Sequence, residues 1–278
     1  MRLIGRTVER RRMEMLIRAG RHVLLEGPVG TGKTTLAGVV AGDLGRPVFR
    51  VDGDGRYTEQ KLVGSFDPKL VLDRGFVLDS FLPGPLFRAM QEGGILLINE
   101  LNRMPEMVQN VLLPALDEGL LQIPVLGAIR ACPGFVLIAT QNPREFVGTS
   151  ALSEALLDRL EWIGLSSMTE EEECQIVQEH VSGTGPIPLL VDCVSLIRMT
   201  RSHAKVKRGA SVRAAMTLAG IVRDARIESL DDPEFLAAAK SVLANRIELQ
   251  SGKFSNLPYS EILDELLLEL IEGLKKKS

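Results

Sequence analysis

Along the first half of this chain short apolar runs alternate with stripes of helical period, while in the second half only the helical stripes continue. The run His22-Val23-Leu24-Leu25-Glu26 is brief and mostly apolar, which suits a parallel strand buried on both faces. Before it, Val8, Met13, Met15, Leu16 and Ile17 recur among Arg and Glu from Thr7 to Arg18, an amphipathic helix that Gly20 ends. After it, Thr35 to Val40 open a second helix, and Pro47-Val48-Phe49-Arg50-Val51 forms a second strand with its proline at the tolerated first position. Asp52-Gly53-Asp54-Gly55 then turns. The stretch from Gly64 to Pro85 is punctuated by Pro and Gly around Lys69-Leu70-Val71-Leu72 and Gly75-Phe76-Val77-Leu78, which predicts a loop carrying a hairpin, inserted ahead of a helix over 85–90.

Further on, Gly94 to Ile98 is a buried strand that ends on Asn99-Glu100. Val108, Val111, Leu112, Ala115 and Leu116 form one helical stripe, with Pro114 removing the bond to the carbonyl of Asn110, so a kink is expected. Leu121 to Val125 and Ala128 to Ala131 flank Leu126-Gly127 as a second hairpin. Phe135 to Ala139 is a further buried strand, with Thr140-Gln141-Asn142-Pro143 as its polar tip. Glu170 to Glu173 then open a helix after Thr169, which suits an N-cap and the helix dipole. Beyond them come helical stretches broken at Ser182 to Pro186 and at Asp231-Asp232-Pro233, ending in an amphipathic helix from Ser260 to Leu274 and a basic end at Lys275 to Lys277. The pattern predicts an α/β core over 1–165 and an all-helical domain over 166–278.

Composition changes this picture little. At 45% hydrophobic and 25% charged residues the chain can fill a core and lies outside the disordered class. Three cysteines, Cys132, Cys174 and Cys193, show neither zinc spacing nor a disulfide framework, so a reducing cytoplasm is the expected setting. Charged residues follow the N-terminus at once and no apolar run approaches the ~20 residues of a membrane span, so secretion and insertion are not expected. A net charge of −3 argues against bulk attraction to nucleic acid.

Chemistry enters at Gly27-Pro28-Val29-Gly30-Thr31-Gly32-Lys33-Thr34, which fits G-x-x-x-x-G-K-[ST] at every fixed position between a strand and a helix. Gly27, Gly30 and Gly32 allow backbone N–H groups to turn toward an anion, and the helix N-terminus that continues into Thr35 adds partial positive charge. Lys33 would reach the β- and γ-phosphates of ATP, and the Thr34 hydroxyl would hold Mg2+. Glu100, at a strand end beside this loop, is placed to polarise a water, and Asn99 stands where most P-loop ATPases carry the Asp that holds Mg2+. Asn142, a polar tip on a neighbouring strand, would reach the γ-phosphate. In the helical part Arg198, Arg201, Lys205, Lys207, Arg208 and Arg213 follow one another with no acid between them. Three readings of that patch stand open: ATP phosphates met through Arg213, a nucleic-acid strand, or a solvated face.

Taken in this order, with Phe81 to Phe87, Asn99 to Arg103, Ala139 to Pro143, Leu152 to Leu160 and Gly209 to Ala214, the motifs resemble an AAA+ ATPase of the MoxR type over roughly Ile4 to Arg226. The resemblance implies a P-loop core with a parallel five-stranded sheet between helices, followed by a small all-α lid. It further implies that Asn142 is the sensor 1 residue, that Arg159 is an arginine finger offered to a neighbour's ATP, and that Arg213 is sensor 2 from the lid. Without it, Arg159 reads as one half of a surface ion pair with Asp158 or Glu161. A ring of identical subunits is implied, commonly six, which remodels or activates client proteins, often ones with von Willebrand A-type domains. Asn99 for the usual aspartate and Leu160 for the usual phenylalanine depart from the family pattern. A nucleotide-dependent assembly scaffold with little hydrolysis and a DNA-acting AAA+ motor are the alternatives.

Overall fold

Three short runs, His22–Glu26, Ile95–Asn99 and Val136–Gln141, are apolar on both sides of the pleat and need cover on both faces, which a parallel sheet between helices supplies. The computed structural model describes residues 3–142, 151–181, 187–250 and 258–276, in two compact units, Met1–Ser166 and Ser167–Ser278. The expected turn over 182–186, Pro143, and Lys277 lie outside the described residues.

In the first unit the strands are β1 (His22–Glu26), β2 (Val48–Asp52), β3 (Gly64–Phe66), β4 (Phe81–Pro83), β5 (Ile95–Asn99), β6 (Leu120–Ile123), β7 (Gly127–Arg130), β8 (Val136–Gln141) and β9 (Leu160–Gly164). Five of them form a parallel sheet in the order β2-β5-β8-β1-β9. Alternation along each strand sorts the side chains between the two faces. Val23, Leu25, Ile95, Leu97, Val136 and Ile138 pack against the helices Thr7–Arg18 and Lys33–Asp43. Leu24, Leu96, Ile98, Leu137 and Ala139 turn the other way, onto the helix Pro85–Gln91 and the segments Glu106–Asn110 and Leu112–Asp117. Those two segments are one helical stripe broken at Val111, directly after Asn110, whose carbonyl loses its partner to the missing N–H of Pro114.

Sequence and structure part company at three places in this unit. Lys69-Leu70-Val71-Leu72 is helical, within Pro68–Arg74, because the Asp67 carboxylate accepts from the N–H groups of Lys69 and Leu70 and Pro68 sits in the first turn. The inserted hairpin is instead β3 with β4, pairing Phe66 with Phe81, whose rings meet at 5.3 Å. Strand β9 escapes the apolar-run criterion because it is an edge strand with Glu161 and Trp162 toward solvent.

The second unit is built from the helices Glu170–Val181, Leu190–Ser202, Val212–Asp224, Pro233–Leu243 and Tyr259–Lys275 around Phe235, Leu196, Ile197, Leu218, Leu266 and Leu267. Thr169 and Glu172 cap the first of these reciprocally, Thr169 Oγ1 accepting from Glu172 N and the Glu172 carboxylate from Thr169 N. A small antiparallel ribbon, β10 (Val206–Arg208) with β11 (Glu248–Leu249), corrects the expectation of no strand here; at two or three residues each, these strands are too short to show an alternation.

Candidate nucleotide site

The strand tips of the parallel sheet end together, and the polar residues that follow them meet there. After Glu26 the chain runs through Gly27–Gly32 and enters its helix at Lys33, two residues earlier than the apolar pattern shows. Gly30 and Gly32 take φ of +85° and +86°, a backbone that a side chain would strain, and Gly32 is the N-cap with no side chain to satisfy the first-turn amides. Those amides and the dipole make the turn an anion cradle. Gly27 is a close approach, since a Cβ there would stand 2.3 Å from the Leu165 carbonyl oxygen. Pro28 and Val29 form the outer rim of the loop, and the Thr31 hydroxyl donates back to Pro28 O at 2.9 Å.

Lys33 is buried, its ammonium donating to Gly27 O at 2.6 Å, Pro28 O at 2.9 Å and Asn142 Oδ1 at 2.9 Å. The other end of the Asn142 amide donates to Glu100 Oε1 at 3.3 Å, and Glu100 Oε2 accepts from Arg103 Nη1 at 2.7 Å. Glu100 itself holds φ at 56°, an unfavourable left-handed backbone that turns its carboxylate out of the strand line. A second chain of contacts runs beside the first. Thr34 Oγ1 donates to Asn99 Oδ1 at 2.7 Å, Thr140 Oγ1 donates to the same oxygen at 2.8 Å, and Asn99 Nδ2 donates to Asp52 Oδ1 at 3.1 Å. Arg50 pairs with that Asp52 oxygen at 2.9 Å and, chiefly through this bond, holds its carboxyl below the usual range. Thr35 follows in the same helical turn, half-buried.

The structure thus brings Gly27 to Thr35, Asn99, Glu100 and Asn142 into one constellation. Arg159 lies elsewhere, bordering a cavity of about 290 Å3 with Arg21, His22 and Asp117 at the amino end of β1. Its ion-pair partner is Asp117 at 2.7 Å, with a further bond to Ala155 O at 2.6 Å; neither Asp158 nor Glu161 takes that role, and Glu161 pairs with Arg21. Arg213 is exposed in the first turn of its helix in the second unit. The basic run around it does not stand unpaired, contrary to its sequence. Arg201 meets the buried Glu173 at 2.6 Å with Arg198 at 3.5 Å, Lys205 meets Glu269 at 2.6 Å, and Lys207 meets Glu248 at 2.6 Å. These acids come from other helices and from β11, so spacing along the chain could not reveal them.

Beyond Asp52 and Arg50, whose contacts are given above, Arg6 and Thr140 contribute in ways that sequence reasoning missed. Arg6, buried with φ 58°, donates to Thr31 O at 3.1 Å and to Ser166 O, bracing the loop from behind. Thr140 joins Asn99 to the N–H of Glu100, to which its hydroxyl oxygen is 3.0 Å distant. The only signal for either was a polar residue next to an apolar run, which is too common to single one out.

The donor set fits Mg2+ accompanied by a nucleotide. Thr34 and Asn99 offer hard oxygens within 2.7 Å of each other, and among the described residues no group of three or more His, Cys, Asp or Glu forms a metal cage. An ion that keeps waters and phosphate oxygens for most of its shell needs no more protein than that. Fold and site define an α/β P-loop protein whose loop, strand-tip glutamate and strand-tip asparagine converge on one phosphate cradle. The chain belongs to the AAA+ ATPases, for the AAA domain of the dynein-related subfamily matches residues 22–160. It is similar to the gas vesicle ATPase GvpN1 of Halobacterium salinarum, 31% identical over 256 residues, which covers 86% of this chain and 72% of that one. Two solved structures share its fold. NtrX from Brucella abortus in complex with ADP, 18% identical, aligns with a TM-score of 0.60 over 98% of this chain and 64% of its own. A point variant of RuvB from Thermotoga maritima, 21% identical, aligns at 0.51 over 86% and 70%.

Proposed function

We propose that this protein hydrolyses ATP as a MoxR-type AAA+ machine, a ring of identical subunits, commonly six, that remodels or activates client proteins, including ones with von Willebrand A-type domains. The observation that carries the proposal is the unbroken chain Lys33, Asn142, Glu100, because it links the phosphate-binding cation to the water-polarising carboxylate through a single amide. In this reading the loop from Gly27 to Thr35 holds the phosphates and Lys33 supplies charge to the β- and γ-oxygens. Thr34 and Asn99 would hold Mg2+, which would supply positive charge toward the phosphates. Glu100 orients the attacking water and Asn142 reports on the γ-phosphate as sensor 1. Arg159 stabilises transition-state charge in the next subunit, and Arg213 keeps the sensor 2 role that the family resemblance gives it. Cys132, Cys174 and Cys193 are free thiols, in keeping with a reducing cytoplasm.

An assembly scaffold with slow turnover is the second reading, and two observations favour it: Asn99 is neutral, and Arg103 holds the Glu100 carboxylate. A DNA motor is less well supported, since acids within the helical unit neutralise most of the basic run. ATP turnover by the purified protein, together with what co-purifies with Glu100→Gln, tests the proposal. Expected is measurable hydrolysis in the native protein, loss of it in the variant, and a client retained by the trapped ring. Absence of hydrolysis at any Mg2+ concentration, with a nucleotide-dependent ring still formed, would replace the machine by the scaffold.

A further inference from the structure

The two contact chains at the strand tips have the same form. In each, an asparagine amide receives a donor at its oxygen and gives its N–H to a carboxylate, and an arginine holds that carboxylate. Lys33, Asn142, Glu100 and Arg103 make one chain; Thr34, Asn99, Asp52 and Arg50 make the other. We infer that Asp52 brings to the metal shell, through the Asn99 amide, the negative charge that a carboxylate at position 99 would otherwise supply. The inference rests on the nucleotide reading above and concerns its metal half.

Geometry assigns Asp52 this task. β2 and β5 pair in parallel with Asp52 opposite Asn99, and Gly53 N donates to Asn99 O at 2.7 Å. A Cβ on Gly53 would stand 2.1 Å from Glu100 O, so the two strand ends lie close together and the backbone of Asp52 stays beside Asn99. The amide's orientation follows from its partners. Threonine hydroxyls donate or accept, so Thr34 and Thr140 would tolerate either end of the amide, whereas an ionised carboxylate only accepts. Asp52 therefore selects the rotamer in which Nδ2 faces itself and Oδ1 faces Thr34, the orientation a cation needs. A carboxylate on the N–H side also polarises the amide and raises the negative charge on Oδ1, as outer-shell partners of metal ligands do. Asp52 is thus a positioning residue, one bond removed from the metal. Its side chain is 61% exposed, so replacing it should leave the core intact.

The test measures how Mg2+ tightens binding of a fluorescent ATP analogue, with the affinity in EDTA as the metal-free reference. Asp52→Asn is expected to raise the Mg2+ concentration for half-maximal tightening roughly tenfold, the low end for outer-shell partners, while the affinity in EDTA stays unchanged. Adding Asn99→Asp to that variant should bring the half-point back, because the charge returns one bond nearer. Arg50→Ala should move it the opposite way, since the guanidinium no longer competes for the carboxylate. A structural role for Asp52 alone would shift the EDTA affinity and the melting temperature and would give no opposite sign on removing Arg50. Equal Mg2+ half-points for Asp52→Asn and the native protein, both binding the analogue, would overturn the inference and leave the nucleotide reading standing. Failure of the native protein to bind the analogue at all would instead overturn that reading, and this inference with it.

Discussion

The two ends of the five-stranded sheet use charge in opposite ways. At the carboxyl end, the buried cation Lys33 is separated from Glu100 by the neutral Asn142 amide, the exposed Arg103 and Arg50 pair with Glu100 and Asp52 from outside, and backbone conformations are strained at Glu100 and left-handed at Gly30 and Gly32. At the amino end, Arg159 meets Asp117 directly at 2.7 Å and the His22 ring is wedged between two backbone groups. An amide bridge lets a buried donor and acceptor turn toward a ligand without separating a desolvated ion pair, whereas the partly exposed Arg159–Asp117 pair holds its guanidinium only weakly. The carboxyl end is built to receive an anion. The amino end, about 13 Å away at ~3.3 Å per residue of β1, is built to keep shape and to present one guanidinium.

The strongest way to break this contrast is to show that the two ends do not cooperate across subunits. Arg159→Ala should lower the ATP turnover rate about 10³-fold if its guanidinium serves a neighbour's transition state, with nucleotide affinity little changed. Mixing it with Glu100→Gln subunits should restore activity only at interfaces that pair an intact Glu100 with an intact Arg159. Turnover of Arg159→Ala alone at the native rate would move the finger to another residue. The contact with Asp117 has a 26% exposed arginine facing a 54% exposed aspartate, so it is weak enough for the guanidinium to leave.

Next in size is Lys33→Ala. Its ammonium donates to the Gly27 and Pro28 carbonyls of the loop itself as well as to Asn142, so the loop loses some order when these bonds are removed. The greater loss is charge toward phosphate, and nucleotide affinity should fall on the order of 100-fold, roughly two charge-assisted hydrogen bonds, with the thermal transition retained. Titration with nucleotide checks it. Unchanged affinity would mean that the carboxyl end does not receive phosphate, and the contrast between the ends would have no functional content.

How far the contrast could be read without coordinates depends on the range of the interactions. The P-loop was legible because eight consecutive residues carry its geometry, β1, β5 and β8 because their runs are almost wholly apolar and buried, and β2 because Val48, Phe49 and Val51 follow a proline at the tolerated first position. The placement of Lys69 to Leu72 misled because four residues are too few to separate period 2 from period 3.6, and Asp67-Pro68, the true signal, marks a helix start. Asp52 read as a turn residue because its meaning lies in a neighbour 47 positions away. Glu173, inside a run that looked like simple helix-start acids, is buried against Arg201, and only packing reveals that.

The smallest effect tests whether polar groups at the amino end serve folding. His22 Nδ1 lies 3.0 Å from the Leu137 N–H, which can only donate, so Nδ1 must be the unprotonated nitrogen. The proton then sits on Nε2 and points at Leu116 O, 3.2 Å away. Protonating the ring would set two N–H groups against each other. Burial chiefly, with the Arg21 charge adding to it and the Leu116 carbonyl opposing, lowers the His22 pKa below its ordinary value of 6.5. The sign of the linkage follows. The unfolded chain binds this proton more readily than the folded one, so stability is fully present above pH 6.5 and falls as the pH drops from there through the lowered folded value. Below that value the contribution levels off, because both states are then protonated. His22→Phe keeps a ring against Phe135 but leaves the Leu137 N–H without its acceptor, so it should cost about 1–3 kcal/mol at neutral pH. More tellingly, denaturant midpoints of the variant should change less between pH 7 and pH 5 than those of the native protein, and the two should converge as the pH falls. Parallel midpoint curves would mean that His22 does not titrate with folding. The amino end would then owe its stability to apolar contacts alone, and the division of labour between the two ends would rest on Arg159 and Asp117 only.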